Sequence, residues 1–133
     1  MIKKLIVTLA AAALSITPTR GEAFSIAGMW EANFKGAIFL RVNLTDGDSI
    51  AGAVSVGSIG VDYEGNLIMA EPAAPENETP ILHAVFDGPT LKFDIDDDGE
   101  ITKIEITFTE ARKAVIHFPD LAQKVKPIEL ARR

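Results

Sequence analysis

Residues 94–105 carry the sharpest chemical signal in the chain: Asp-Ile-Asp-Asp-Asp-Gly-Glu-Ile-Thr-Lys-Ile-Glu. The run fits the calcium-loop template D-x-D-x-D-G-x5-E at every position. Asp94, Asp96 and Asp98 would supply oxygens at the first, third and fifth positions. Gly99 would permit the sharp turn, and Glu100 would offer its backbone carbonyl. Ile101 takes the apolar position that follows, and Glu105 closes the loop with a bidentate carboxylate. Calcium is a hard cation that takes about six to eight oxygen ligands, so the donor set is chemically sensible. The same residues support a second reading. Asp-Gly is a favoured sequence for a two-residue type I′ hairpin turn. With the turn at Asp98-Gly99, Leu91 faces Ile106 and Phe93 faces Ile104, while Lys92 meets Glu105 and Asp94 meets Lys103. Two apolar and two opposite-charge pairs then come from one register. In that hairpin Asp94 and Glu105 already have basic partners. Gly88-Pro89 also leaves no room for the incoming helix of a helix–loop–helix site. Between the two lies weak ion binding at the acidic tip formed by Asp96, Asp97, Asp98 and Glu100.

Catalytic sets are scarce. The two histidines, His83 and His117, fall on expected strands and lack the third protein ligand of a catalytic zinc site. There is no cysteine nucleophile and no serine in a strand-to-helix elbow. Gly57-Ser58-Ile59-Gly60 lacks the lysine and following helix of a phosphate-binding loop. The basic residues Lys113, Lys124, Lys126, Arg132 and Arg133 near the C-terminus are read as balancing the acidic hairpins. These readings point to binding rather than to an enzyme, with no cofactor beyond the possible calcium ion.

The elements that position these side chains follow from composition and periodicity. At 133 residues the chain has room for one small domain, and 47% hydrophobic content argues against disorder. The absence of cysteine excludes a disulfide scaffold. A net charge of -6 argues against a nucleic-acid binder. Residues 1–23 read as a signal peptide. Lys3 and Lys4 precede an apolar run from Leu5 to Ile16, and Pro18 and Gly21-Glu22-Ala23 prepare cleavage after Ala23. The apolar run is too short for a membrane anchor, which needs about 20 residues. Removing Lys3, Lys4, Arg20 and Glu22 with this segment takes the formal charge from -6 to -8. The protein is therefore expected to be secreted or periplasmic, with residues 24–133 as a single domain.

That domain reads as about eight to ten short strands joined by tight turns, an all-β antiparallel barrel with a two-sheet sandwich as the alternative. The clearest strand, 38–44, alternates apolar and mixed residues, and so does 50–56. A loop at 46–48 would set Leu44 opposite Ile50, Leu40 opposite Val54 and Ile38 opposite Val56. Further strands are expected at 59–63, 67–69, 81–86, 91–96, 101–108, 114–118 and 127–131. The proline-rich, acidic stretch Glu71–Pro80 is expected to be a loop, the most mobile part of the fold.

Gly28-Met29-Trp30 opens the first strand and Arg132-Arg133 closes the last. A Gly-x-Trp on the first strand, with a basic residue of the last strand over the tryptophan, resembles the lipocalin (calycin) pattern. The stretches 28–31, 40–55, 86–95 and 127–133 are similar to a small lipocalin-like domain of secreted bacterial proteins. The resemblance implies an up-and-down barrel, structural roles for Gly28, Trp30 and Arg132, and an apolar ligand. The chain is short for that family. Strands of about six or seven residues span only about 20–23 Å, and side chains such as Ile38, Leu40, Leu44, Val54, Phe93 and Ile104 would fill the interior. The functional expectation is an exported, non-enzymatic binding or accessory module for a small apolar ligand or an exported protein. The alternatives are a calcium-stabilised structural domain using Asp94–Glu105, and an inhibitor of an exported hydrolase that uses Glu71–Pro80 as a wedge.

Overall fold

The computed structural model describes residues 25–121 and 123–133; the expected signal peptide lies outside them. Short alternating runs punctuated by Gly, Pro and Asp become eleven strands in chain order. These are β1 (Gly28–Phe34), β2 (Ala37–Asp46), β3 (Ile50–Val56), β4 (Ile59–Val61), β5 (Leu67–Ala70), β6 (Thr79–Pro80), β7 (Leu82–Asp87), β8 (Thr90–Asp97), β9 (Glu100–Glu110), β10 (Lys113–His117) and β11 (Ile128–Arg132). Nine of them form one antiparallel sheet in the order β6-β3-β2-β1-β11-β10-β9-β8-β7, nearly closed into a barrel; β4 and β5 form a separate two-stranded sheet.

The two edge strands of the large sheet, β6 and β7, are neighbours in sequence with only Ile81 between them. Thr79–Asp87 is thus one extended run. Its first part pairs with β3 (Ala53 with Pro80, Val54 with Thr79) and its second part pairs with β8. The Ile81 amide donates to the Gly52 carbonyl at 3.0 Å, so the run bridges both edges. Nine strands therefore occupy eight wall positions in up-and-down order, and the edges that would template aggregation are covered. The run changes partners at Ile81, and a bulge between Leu82 and Val85, with His83 at φ 56, follows once it is paired with β8.

Alternation sorts the wall. Trp30, Val42, Leu44, Leu91, Phe93, Ile104, Ile106, Ile116 and Leu130 are among the buried residues of one apolar cluster. Fully burying a side chain of this size contributes about 1.5–3 kcal/mol, so this inward row is the main source of stability. At a second bulge, between Ala32 and Asn33, Phe39 is the unpaired residue of β2. It is buried beside Leu40, and Ile38 is left only half-buried, contrary to the simple alternation.

The first hairpin also departs from expectation. The loop is Gly47–Ser49, with Asp46 opposite Ile50, so Leu44 faces Gly52, Val42 faces Val54 and Leu40 faces Val56. This register is slipped by one full pleat from the expected one, so the sidedness is kept and Leu40, Leu44 and Val54 still face inward. Two contacts account for the choice. Gly52 lies so close to the Asn43 carbonyl that a β-carbon there would strike it, and Asp46 accepts a hydrogen bond from the Ser25 hydroxyl at 2.9 Å.

The up-and-down order gives the barrel two distinct ends. The base holds Ser25–Ala27, the turns 47–49, 88–89 and 111–112, and the C-terminus. The rim holds the turn Lys35-Gly36, the excursion 57–78 with β4 and β5, the turn Asp98-Gly99, and the connection 118–127. The excursion and the connection touch: the Lys126 amide donates to the Gly65 carbonyl at 3.0 Å.

Candidate functional site

The Asp-rich run forms the tip of the β8–β9 hairpin. Asp97 pairs with Glu100, and the two residues between, Asp98 (φ 55) and Gly99 (φ 90), both have positive φ, as a type I′ turn requires. The Gly99 amide donates to Asp96 Oδ1 at 2.7 Å, fixing the tip. All four expected cross-strand pairs are present: Leu91 with Ile106, Phe93 with Ile104, Lys92 with Glu105, and Asp94 with Lys103. The calcium-ligand candidates are dispersed along this hairpin. Asp94 Oδ2 lies 3.0 Å from His83 Nδ1, and Asp94 Oδ1 lies 3.8 Å from Lys103 Nζ. Glu105 sits four residues beyond Ile101 on β9, with Oε1 4.0 Å from His117 Nδ1. Among the described residues, no three His, Cys, Asp or Glu side chains converge into a metal-holding group. The donor set that suits calcium in sequence is thus drawn out along two strands, with Asp94 already engaged by two basic side chains.

At the base, the residues singled out for structure come together. Trp30 is fully buried, and its indole Nε1–H donates to the Ile26 carbonyl at 2.9 Å. Arg132, paired with Trp30 across β11 and β1, places its guanidinium carbon 5.2 Å from the centroid of the Trp30 ring. That guanidinium also donates to the Ala27 carbonyl, and to the Ala111 carbonyl at 3.1 Å. Gly28, at φ 131, lies under it: a β-carbon there would sit 3.4 Å from Arg132 Nε. Trp30 meets Phe108 edge-on at 5.1 Å, and Phe86 meets Phe108 at 6.0 Å. One cation and three aromatic rings therefore close the base.

The rim is different in kind. Among the described residues eight large apolar side chains are exposed, and Val56, Tyr63, Ile68, Met69, Ile101 and Leu121 all belong to the rim. Tyr63 is fully exposed, Ile68 is 58% exposed and Ile101 51%. The excursion that presents Tyr63, Ile68 and Met69 is anchored beneath by Ile59, Leu67 and Ala70, which pack on the core. Its turn is built by Asp62. One carboxylate oxygen accepts the Glu64 and Asn66 amides, each at 2.9 Å, and the other accepts Asn66 Nδ2 at 3.2 Å. The hydrogen bond from the Asn66 amide is foremost in holding the Asp62 carboxyl below the usual aspartate value of 3.8. Phe118 and Val125, in the neighbouring connection, also pack on the core and border an open groove of about 360 Å³ with Leu121 and Lys124.

The Glu71–Pro80 stretch is strapped along the wall. The Glu71 amide donates to the Ser58 carbonyl, the Ala73 amide to the Ile38 carbonyl, and the buried Ser55 hydroxyl to the Ala74 carbonyl at 2.7 Å. A short 3-10 turn over Pro75–Asn77 then leads into β6.

Two features escaped the sequence reading. Five of the six exposed rim side chains, all but Leu121, fall in runs that look like ordinary strands, and only topology gathers them at one end. A second groove, of about 300 Å³, lies where β1 and β11 pair over just two residue positions; Glu31, Asn33, Lys113 and Glu129 border it. Beside it Glu31 Oε2 is 3.4 Å from Arg41 Nε and 3.5 Å from Arg133 Nη1, an ion-pair cluster on the outer wall. Comparison with protein-family models, with curated proteins and with solved structures finds no match for this chain.

Proposed function

We propose that this protein is an exported, non-enzymatic binding or accessory module with a lipocalin-like barrel, which engages a protein partner through its rim. The observation that carries the reading is the division of labour between the ends. Trp30 and Arg132 lock the base, whereas the rim holds six exposed apolar side chains, three of them (Tyr63, Ile68 and Met69) on an excursion anchored from below. Clustered exposed apolar side chains are characteristic of interaction surfaces. The stacking of Arg132 on Trp30 above Gly28 supports the lipocalin-like assignment. The inward row packs on itself as a single cluster, which favours a macromolecular partner at the rim over a small apolar molecule within the wall. Export rests on the character of residues 1–23.

The test is a photo-crosslinking residue installed in the exporting cell at Tyr63 and, as control, at Val85 on the wall. The expected result is a discrete protein adduct from position 63 and none from position 85. Equal labelling at both positions, or capture of a small apolar molecule in place of a protein, refutes the reading.

A further inference from the structure

We infer that the rim's partner presents a basic, amphipathic segment, with Lys or Arg set among apolar side chains; this inference rests on the rim being the binding surface. The charge of the protein is unevenly divided between the two ends. With loop and strand-end residues counted alike, and Glu71–Pro80 left to the wall, the rim carries six acidic side chains (Asp62, Glu64, Asp97, Asp98, Glu100, Asp120) and three basic (Lys35, Lys124, Lys126), whereas the base carries four acidic (Asp46, Asp48, Asp87, Glu110) and four basic (Arg112, Lys113, Arg132, Arg133). The two kinds of surface share one end of the barrel. Ile101 follows Glu100 directly, and Tyr63 stands between Asp62 and Glu64.

An apolar surface bordered by carboxylates selects its partner by sign. Complementary potentials steer encounter and like charges across an interface are costly, so specificity follows the charge border while affinity follows the apolar centre. A second copy of this chain would bring two acidic borders together. A membrane surface rich in anionic lipid would be repelled in the same way. A segment with cations interspersed among apolar side chains satisfies both parts of the surface. It lays its apolar side chains on Tyr63, Ile68, Met69 and Ile101 and its cations on the surrounding carboxylates.

The experiment is fluorescence anisotropy of the exported protein with three labelled peptides of equal length. One is an amphipathic Leu/Lys peptide, one its Leu/Glu counterpart, and one a Ser/Lys peptide of the same charge. The protein variants are Tyr63→Ser with Met69→Ser, and Asp97→Lys with Glu100→Lys. All four positions are exposed, and the melting temperature of each variant is checked against wild type. The Leu/Lys peptide is expected to bind at least about tenfold more tightly than either comparator, and each double variant is expected to weaken it about fivefold or more. Equal binding of the Leu/Glu peptide, with sensitivity to Tyr63→Ser and Met69→Ser, overturns the basic partner but leaves the rim as the binding surface. Leu/Lys binding insensitive to both double variants overturns the rim itself. Equal binding of the Ser/Lys peptide reduces the effect to bulk charge and overturns the inference. So does a dimer in sedimentation that Tyr63→Ser dissociates, or binding to anionic phospholipid vesicles.

Discussion

Replacing Arg132 by alanine removes three interactions at the base together. The hydrogen bond to the Ala27 carbonyl is partly buried and charge-assisted, worth about 1.5 kcal/mol; the one to Ala111 is exposed and worth about 0.5 kcal/mol. The guanidinium over the Trp30 ring adds about 0.5–1 kcal/mol, since Arg132 remains partly in contact with solvent. The loss is therefore about 2.5–3 kcal/mol. For a domain of about 110 residues this lowers the melting temperature by about 11–13 °C. Calorimetry or thermal circular dichroism reads the shift. Arg132→Lys retains the charge but not the planar stack or the two-pronged donation, and is expected to fall between wild type and alanine. Arg133 is the control. Its side chain is 67% exposed and reaches Glu31 at 3.5 Å, so Arg133→Ala is expected to cost less than about 0.5 kcal/mol, about 2 °C. Equal shifts for Arg132→Ala and Arg133→Ala refute the assignment of the base as a locked structural end.

Gly99→Ala is expected to destabilise by about 1–2 kcal/mol in chemical denaturation, because the residue sits at φ 90 with open space around it, so the cost is purely conformational. Gly47→Ala, equally uncrowded but without positive φ, is expected to be near neutral. The melting temperature is expected to be the same in millimolar calcium and in chelator; a rise with calcium refutes the plain-hairpin account of Asp94–Glu105. Because the folded-state pKa of Asp62 is depressed, its contribution to stability is complete above the unfolded value of about 3.8 and is lost as pH falls through the lower folded value. Carboxyl titration by NMR should place Asp62 below the usual aspartate value of 3.8, and Asp62→Asn should remove its share of the acid dependence.

The β8–β9 hairpin was legible pair for pair because Asp98-Gly99 fixes the turn and both its apolar and its charged pairs demand the same register. The β2–β3 hairpin was legible only to the level of sidedness. A slip of one full pleat preserves the inward row, and the deciding contacts, Gly52 against Asn43 and Ser25 with Asp46, are invisible to periodicity. The division of one run into β6 and β7 at Ile81, and the bulge at His83 just after it, have no pattern in the residues that prepares the reader. Gly28, Trp30 and Arg132 were legible as a set through a family resemblance, and the structure brings them into contact. The rim was not legible. Tyr63, Ile68 and Met69 look like core-strand residues until the small β4–β5 sheet is seen standing off the barrel.

The division of labour between the two ends is tested most directly by residue-resolved hydrogen exchange with and without the bound Leu/Lys peptide. Amides around Trp30, Phe108 and Arg132 are expected to be the slowest and to stay unchanged on binding. Those of residues 57–71 and 97–101 are expected to gain protection. Protection gained around Ala111 and Arg112, or uniformly along the wall, contradicts the account.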